Sequence, residues 1–280
     1  MTVASLRARS RPRARLLAEL MDLSGRKALV SGGAGHIGLV VDEALLELGA
    51  TVTVLDRDRR ACEQRVRALP RGRAKRAIPL ACDLADDAMT RQAVQTAIKA
   101  MGGLDILVHC AAYVGTTPID GWACPLETQT VKAWDAALRV NLTSAFVMVQ
   151  EARNALAASG HGSVIFFAST YGLVGPDFRL YAETAMANPA GYGASKAGLL
   201  QLARHLATAL APRVRVNAIS PGGVWRKQPE TFHQRYVSRT PLGRMAREED
   251  LKGAIAYLAS DLSAYVTGHN LVVDGGWTIW

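Results

Sequence analysis

Seven short apolar runs, separated by six longer amphipathic stretches, constrain the fold of this chain more than any other feature. The runs fall at 27–31, 51–56, 77–82, 104–110, 162–169, 213–220 and 270–274. Their inner residues are almost continuously apolar: Val52, Val54 and Leu55; Ile106, Leu107 and Val108; Val164, Ile165, Phe166 and Phe167. A strand with one wet face alternates apolar and polar residues, whereas a strand covered by helices on both faces does not. Between the runs, the stretches 37–49, 57–69, 86–101, 130–159, 191–211 and 247–260 read as helices. Repetition of this βα unit predicts a doubly wound α/β fold with a parallel seven-stranded sheet in a single domain over residues 22–280.

Composition narrows the function classes. At 49% apolar and 20% charged residues the chain is too apolar for a mainly disordered protein. It lacks the stretch of about 18 consecutive apolar residues that a membrane span needs. Cys62, Cys82, Cys110 and Cys124 are widely spaced, without a C-x-x-C or a zinc-type His pair, so a reducing, cytoplasmic setting is expected. The net charge of +9 suggests nucleic acid until its distribution is considered. Residues 1–22 carry Arg7, Arg9, Arg11, Arg13 and Arg15 against Glu19 and Asp22, a net +3, leaving +6 for the other 258 residues. That remainder has neither a basic run nor interleaved aromatics, so no nucleic-acid or membrane partner is expected, only a small-molecule substrate. The basic segment 1–21 reads as a disordered tail, a targeting peptide, or translated sequence ahead of a start at Met21.

Three clusters carry chemistry. Ser31-Gly32-Gly33-Ala34-Gly35-His36-Ile37-Gly38 follows the first strand and opens a helix, where glycines let backbone approach a pyrophosphate at a helix N-terminus. Asp56 closes the second strand, where a carboxylate accepts the adenosine ribose hydroxyls and repels a 2′-phosphate, which points to NAD. Arg57 beside it is suited to that phosphate, which keeps NADP open, and an N-cap role for Asp56 stays open too. Tyr192 and Lys196 lie four residues apart, on one face of a helix, where an ammonium would favour the phenolate of a tyrosine with a free pKa of about 10. Ser169 ends the fifth strand at the carboxyl edge of the sheet, where doubly wound folds bind ligands; a plain turn cap is its other reading.

Together these residues resemble the short-chain dehydrogenase/reductase family in its compact, Rossmann-type branch, with matching motifs in order from about residue 22 to 280. The resemblance implies catalytic roles for Asn141, Ser169, Tyr192 and Lys196, with Asn141 supporting a proton-relay water near the lysine. It implies cofactor contacts from Gly32, Gly35, His36, Ile37, Gly38, Asp56, Arg57, Asp83, Leu84, Cys110, Ala111, Ala112, Tyr192, Lys196, Pro221, Gly222 and Val224. It also implies a homotetramer or homodimer. His109-Cys110-Ala111-Ala112 stands where the family has Asn-Asn-Ala-Gly, His36 replaces a motif glycine, and Arg226 stands where threonine is frequent. The stretch between Ser169 and Tyr192 exceeds the family norm by about ten residues and resembles a subgroup from bacterial surface-sugar and flagellin-glycan pathways. Substrate loops are expected at 173–191 and 222–245, with Arg179, Arg226 and Lys227 placed to meet an anionic or polyhydroxylated substrate. The implied function is hydride transfer between a nicotinamide cofactor and a secondary alcohol or ketone, with a redox-neutral epimerase or dehydratase and a non-catalytic NAD-binding regulator as rivals.

Overall fold

Alternate side chains of the central strands point into two separate cores, which is what a sheet covered on both faces requires. Val164 and Phe166 join one core with Leu29, Leu107 and Val216, while Ile165 and Phe167 join the other with Val30, Val54 and Val108. The computed structural model describes residues 13–115 and 117–280. Its strands are β1 (Lys27–Ser31), β2 (Thr51–Asp56), β3 (Ala77–Ala81), β4 (Ile106–His109), β5 (Gly162–Phe167), β6 (Val214–Pro221) and β7 (Asn270–Val273). They form one sheet in the order β3-β2-β1-β4-β5-β6-β7, parallel throughout.

The helices are α1 (Leu17–Met21), α2 (His36–Glu47), α3 (Arg59–Ala68), α4 (Arg71–Ala74), α5 (Asp87–Met101), α6 (Val131–Leu138), α7 (Ser144–Ala158), α8 (Ala190–Leu210), α9 (Glu230–Ser238) and α10 (Lys252–Ala259). One core lies under α5, α7 and α8 and the other under α2 and α10. Strand order reverses between β1 and β4, so their carboxyl ends diverge and open the crevice in which this topology binds ligands.

All seven expected strands are present, and most boundaries move by no more than two residues. Burial differs at the edges: β3 and β7 each expose alternate or outer residues, since a helix covers one face of an edge strand less completely. Pro79 sits in edge strand β3, where its missing N–H breaks no ladder. Residues 57–69 and 130–159 were each expected as one helix. The second is interrupted by a π-helical turn, Arg139–Thr143, between α6 and α7. Helices α4 and α9 had no counterpart in the sequence reading. The tail expected over 1–21 needs correction in its last part: 17–21 form helix α1, and Arg15 reaches Asp261 at 2.6 Å. Arg26 meets the same carboxylate at 3.1 Å and Leu23 is buried, so this segment is tied to the domain. Arg7, Arg9 and Arg11 lie outside the described residues. No helix among the described residues is long and apolar enough to cross a membrane.

Candidate active site

The glycine-rich turn is built so that only glycine fits. Gly32 has φ +69°, a left-handed conformation costly for other residues, and a Cβ there would sit 2.7 Å from the Ala111 backbone nitrogen. A Cβ on Gly38 would stand 2.0 Å from the Gly32 carbonyl oxygen. The turn is thus folded onto the first turn of α2, with Gly35 at the N-cap and the helix N-terminus facing outward beside exposed His36. Asp56 accepts the Ala34 N–H at 3.2 Å and the Arg57 N–H at 2.8 Å, so it braces this turn from the end of β2. It does not cap α3; Asp58 does, accepting from Arg60 and Ala61. Arg57 is exposed beside it.

This cradle and its carboxylate fit an adenine dinucleotide. Along the same crevice stand Asp83, exposed with its carboxylate on the Ala85 N–H at 3.0 Å, and Cys110, Ala111 and Ala112, all half-buried. The Leu84 side chain belongs to the core, which leaves only its backbone for a ligand. On the far side, Pro221 ends β6 and Gly222 donates to the Val273 carbonyl at 2.9 Å. Val224 is buried and bridges to Ala246.

The π-helical turn and α8 bring the catalytic candidates together. Asn141, fully buried in that turn, accepts the Tyr113 N–H at 2.7 Å. Its amide donates to the Tyr113 carbonyl at 3.2 Å and to Ser195 Oγ at 3.0 Å. Asn141 therefore pins the loop after β4 to the helix carrying Tyr192 and Lys196. Lys196 is buried, and its Nζ donates to the Phe167 carbonyl at 2.6 Å, with the Tyr192 ring centroid 5.8 Å away. Ser169 caps the short turn Thr170–Gly172, accepting the Tyr171 N–H at 3.1 Å. A Cβ on Gly172 would meet the Lys196 backbone at 2.8 Å, so this glycine lets the Ser169 turn lie against α8.

Electrostatics correct one expectation. Lys196 was expected to depress the Tyr192 pKa, but burial pushes the phenol upward, countered by a hydrogen bond from Ser169 and by the Arg226 charge. The ammonium is engaged by a backbone carbonyl rather than by the phenol. Its own burial lowers it from 10.5 to about 8.

His109 is buried, with Ser31 Oγ 2.8 Å from Nδ1 and the Asn141 carbonyl 3.3 Å from Nε2. A carbonyl only accepts, so Nε2 carries the proton and Nδ1 accepts from Ser31. Burial lowers the imidazole pKa to about 3, so the ring is neutral and structural. It ties the entrance of the glycine turn to the Asn141 segment.

Next to Gly193, a cavity of about 750 Å³ opens, walled by Leu126, Pro176, Phe178 and Met186. Tyr171 and Tyr181 also line it, their hydroxyls 2.8 Å apart, with Asn188 Nδ2 donating to Tyr181 at 3.2 Å. These tyrosines escaped sequence analysis because irregular segments supply them and no periodic pattern marks them. Arg179, expected at the substrate, is instead turned to solvent: its side chain is 84% exposed and holds Asp177 through two bonds of 2.9 and 3.0 Å. Arg226 pairs with Glu248 at 3.4 Å, and Lys227 is exposed at φ +57°.

Comparison with known proteins agrees with this fold. The family model described as enoyl-(acyl carrier protein) reductase matches residues 32–278. The chain is 33% identical to cis-4-hydroxycyclohexanecarboxylate dehydrogenase of Sinomonas cyclohexanicum over 90% of its length and 96% of the relative's. It is similar to a short-chain dehydrogenase from Leptospira borgpetersenii with bound NAD+ (TM-score 0.80, 30% identity, covering 96% of this chain and 98% of that one). It is also similar to a gluconate 5-dehydrogenase from Burkholderia cenocepacia in complex with NADP and tartrate (TM-score 0.79, 28% identity, covering 94% and 99%). The ordered motifs, the parallel sheet and these matches establish that the chain belongs to the short-chain dehydrogenase/reductase family, as a nicotinamide-dependent oxidoreductase acting on CH–OH groups.

Proposed function

We propose that this enzyme interconverts a secondary alcohol and its ketone on a cyclic, hydroxylated small molecule, with NAD as the preferred dinucleotide. Support for the reading comes from the Ser169 turn, which lies against the helix carrying Tyr192 and Lys196 through Gly172, and from the neighbouring cavity that Tyr171 and Gly193 line. Residues 32–38 would hold the pyrophosphate and Asp56 the adenosine ribose, while Asp83, the Leu84 backbone and Cys110–Ala112 would border the adenosine half. Pro221, Gly222 and Val224 would border the nicotinamide. Asp56 favours NAD by repelling a 2′-phosphate, whereas exposed Arg57 could pair with one; relatives with NAD+ and with NADP are both known.

When bound, a nicotinamide supplies the hydride acceptor for the alcohol or the donor for the ketone. The chain's own groups handle the proton. Ser169 holds the reacting oxygen and steadies the negative charge that develops on it. Tyr192 takes the hydroxyl proton in oxidation and returns it in reduction. The buried Lys196 ammonium, 5.8 Å from the phenol ring centroid, would offset part of the burial that raises the Tyr192 pKa without reversing it. Asn141 keeps the Tyr113 loop and Ser195 in register with both groups.

Cyclic substrates are favoured by the cavity's size and by the hydroxycyclohexane-acting relative. A reducing, cytoplasmic setting accords with four cysteines that are all free. A homotetramer or homodimer accords with the exposed apolar side chains Val272, Tyr265 and Ile279 on and near edge strand β7. The test is nicotinamide absorbance at about 340 nm with NAD and with NADP against a panel of cyclic alcohols, sugars and matching ketones. Turnover faster with NAD supports the reading, and product formed without net reduction would replace it with an epimerase or dehydratase.

A further inference from the structure

The cavity beside Gly193 also narrows the substrate class, on the premise that Tyr192 and Lys196 perform the chemistry proposed above. Its volume of about 750 Å³ lies within the roughly 300–1,000 Å³ usual for small-molecule sites. Among the described residues Glu127 is the one charged side chain in its lining, and it is an anion. Leu126, Pro176, Phe178 and Met186 offer an anionic group nothing, and placing a phosphate against such a wall forfeits its hydration without a partner. None of the three cations expected at the substrate lines the cavity: Arg179 pairs with Asp177, Arg226 pairs with Glu248, and Lys227 is exposed to solvent outside the lining.

Of the neutral polar side chains in the lining, Gln129 and Thr184 are bonded to backbone groups, and the chain Asn188–Tyr181–Tyr171 is the one with a hydroxyl hydrogen still to give. Asn188 donates to the Tyr181 hydroxyl, and one hydrogen bond joins the two phenols. Whichever phenol donates in that bond, the hydrogen of the other remains unassigned. Burial pushes both phenols to higher pKa, so both stay protonated at neutral pH. The chain therefore has one O–H left to give to an acceptor.

We infer that the enzyme takes a neutral ring alcohol with an apolar face and one further oxygen across the ring, held by the Tyr171–Tyr181 pair, rather than a phosphorylated or nucleotide-linked sugar. The ring lies on the apolar wall, the second oxygen accepts the free phenolic hydrogen, and the reacting hydroxyl points toward Tyr192.

The experiment compares kcat/KM with NAD for cyclohexanol, 1,4-cyclohexanediol and a hexose 6-phosphate in wild-type protein and in the double variant Tyr171→Phe/Tyr181→Phe. A hydrogen bond worth about 1 kcal/mol makes the diol about fivefold better than cyclohexanol in wild type, and in the double variant the ratio of the two falls to about one. The sugar phosphate falls at least about 100-fold below the diol, since an unpaired anion on an apolar wall costs several kcal/mol. Phe178→Asp, at a side chain 65% exposed and hence tolerant of change, lowers kcat/KM for cyclohexanol without altering NAD affinity. The inference is overturned if the phosphate equals the diol, or if the diol advantage survives in the double variant. It is also overturned, with the alcohol–ketone reading intact, if Tyr192-dependent turnover is confined to other secondary alcohols. Absence of Tyr192-dependent turnover of any secondary alcohol overturns both.

Discussion

Replacing Lys196 by methionine should abolish activity and yet make the unliganded protein more stable at neutral pH. The ammonium is buried, with 3% of the residue exposed, and its pKa falls from 10.5 to about 8. That difference corresponds to about 3 kcal/mol spent on keeping the charge inside the folded chain. Methionine removes this cost and fills the same volume. It also strips the Phe167 carbonyl of its 2.6 Å partner, a loss of about 1–3 kcal/mol for a buried acceptor. The net gain is therefore about 0–2 kcal/mol, or a rise in melting temperature of up to a few degrees for a domain of this size. The pH dependence separates this cause from better packing. A base with a depressed folded pKa costs stability wherever it is charged in the folded state, so the penalty is complete below about 8 and fades between about 8 and 10.5. Denaturation of both proteins at pH 6.5 and pH 10, without cofactor, reads it directly. A variant less stable than wild type at pH 6.5, or a gain of equal size at both pH values, would refute the reasoning.

Three further outcomes follow from the same geometry. Gly38→Ala should weaken dinucleotide binding by tenfold or more in calorimetry, because its methyl would stand 2.0 Å from the Gly32 carbonyl and force the turn open. Asp56→Ala should shift the kcat/KM ratio toward NADP, since it removes the carboxylate that repels a 2′-phosphate and leaves Arg57 in place; an unchanged ratio would show that Asp56 only braces Ala34. Burial holds the Tyr192 phenol above its ordinary value, so the acid form persists into the alkaline range. Ketone reduction should accordingly hold up through neutral pH and fall as pH rises, while alcohol oxidation should climb over the same range.

The central strands were legible because a sheet buried on both faces leaves continuous apolar runs, as in Val164–Phe167 between two cores. The glycine turn was legible because a close backbone approach admits only one residue type, as Gly38 against Gly32 demonstrates. Helical spacing put Tyr192 and Lys196 on one face, and the ordered family motifs around them gave the pair its role. What escaped depends on tertiary placement. Helix α9 follows Pro229 in a stretch with few apolar residues, and packs through Phe232 and Tyr236 onto Trp277 at the far end of the chain. Arg179 was assigned to the substrate from its place in an insert, but Asp177, two residues earlier, captures its guanidinium. The direction of the Tyr192 shift was also misjudged: spacing places the ammonium near the phenol, while burial, which spacing does not reveal, sets the sign.

The account rests on Tyr192 as the proton-transfer group, and one comparison tests that most directly: kcat of wild type and Tyr192→Phe, followed through nicotinamide absorbance on the best ring alcohol, with NAD affinity measured in parallel. Loss of the phenolic oxygen should lower kcat by at least about 100-fold while leaving NAD affinity within about twofold, because general acid–base catalysis typically contributes a factor of that size. Turnover within a few-fold of wild type would contradict the assignment.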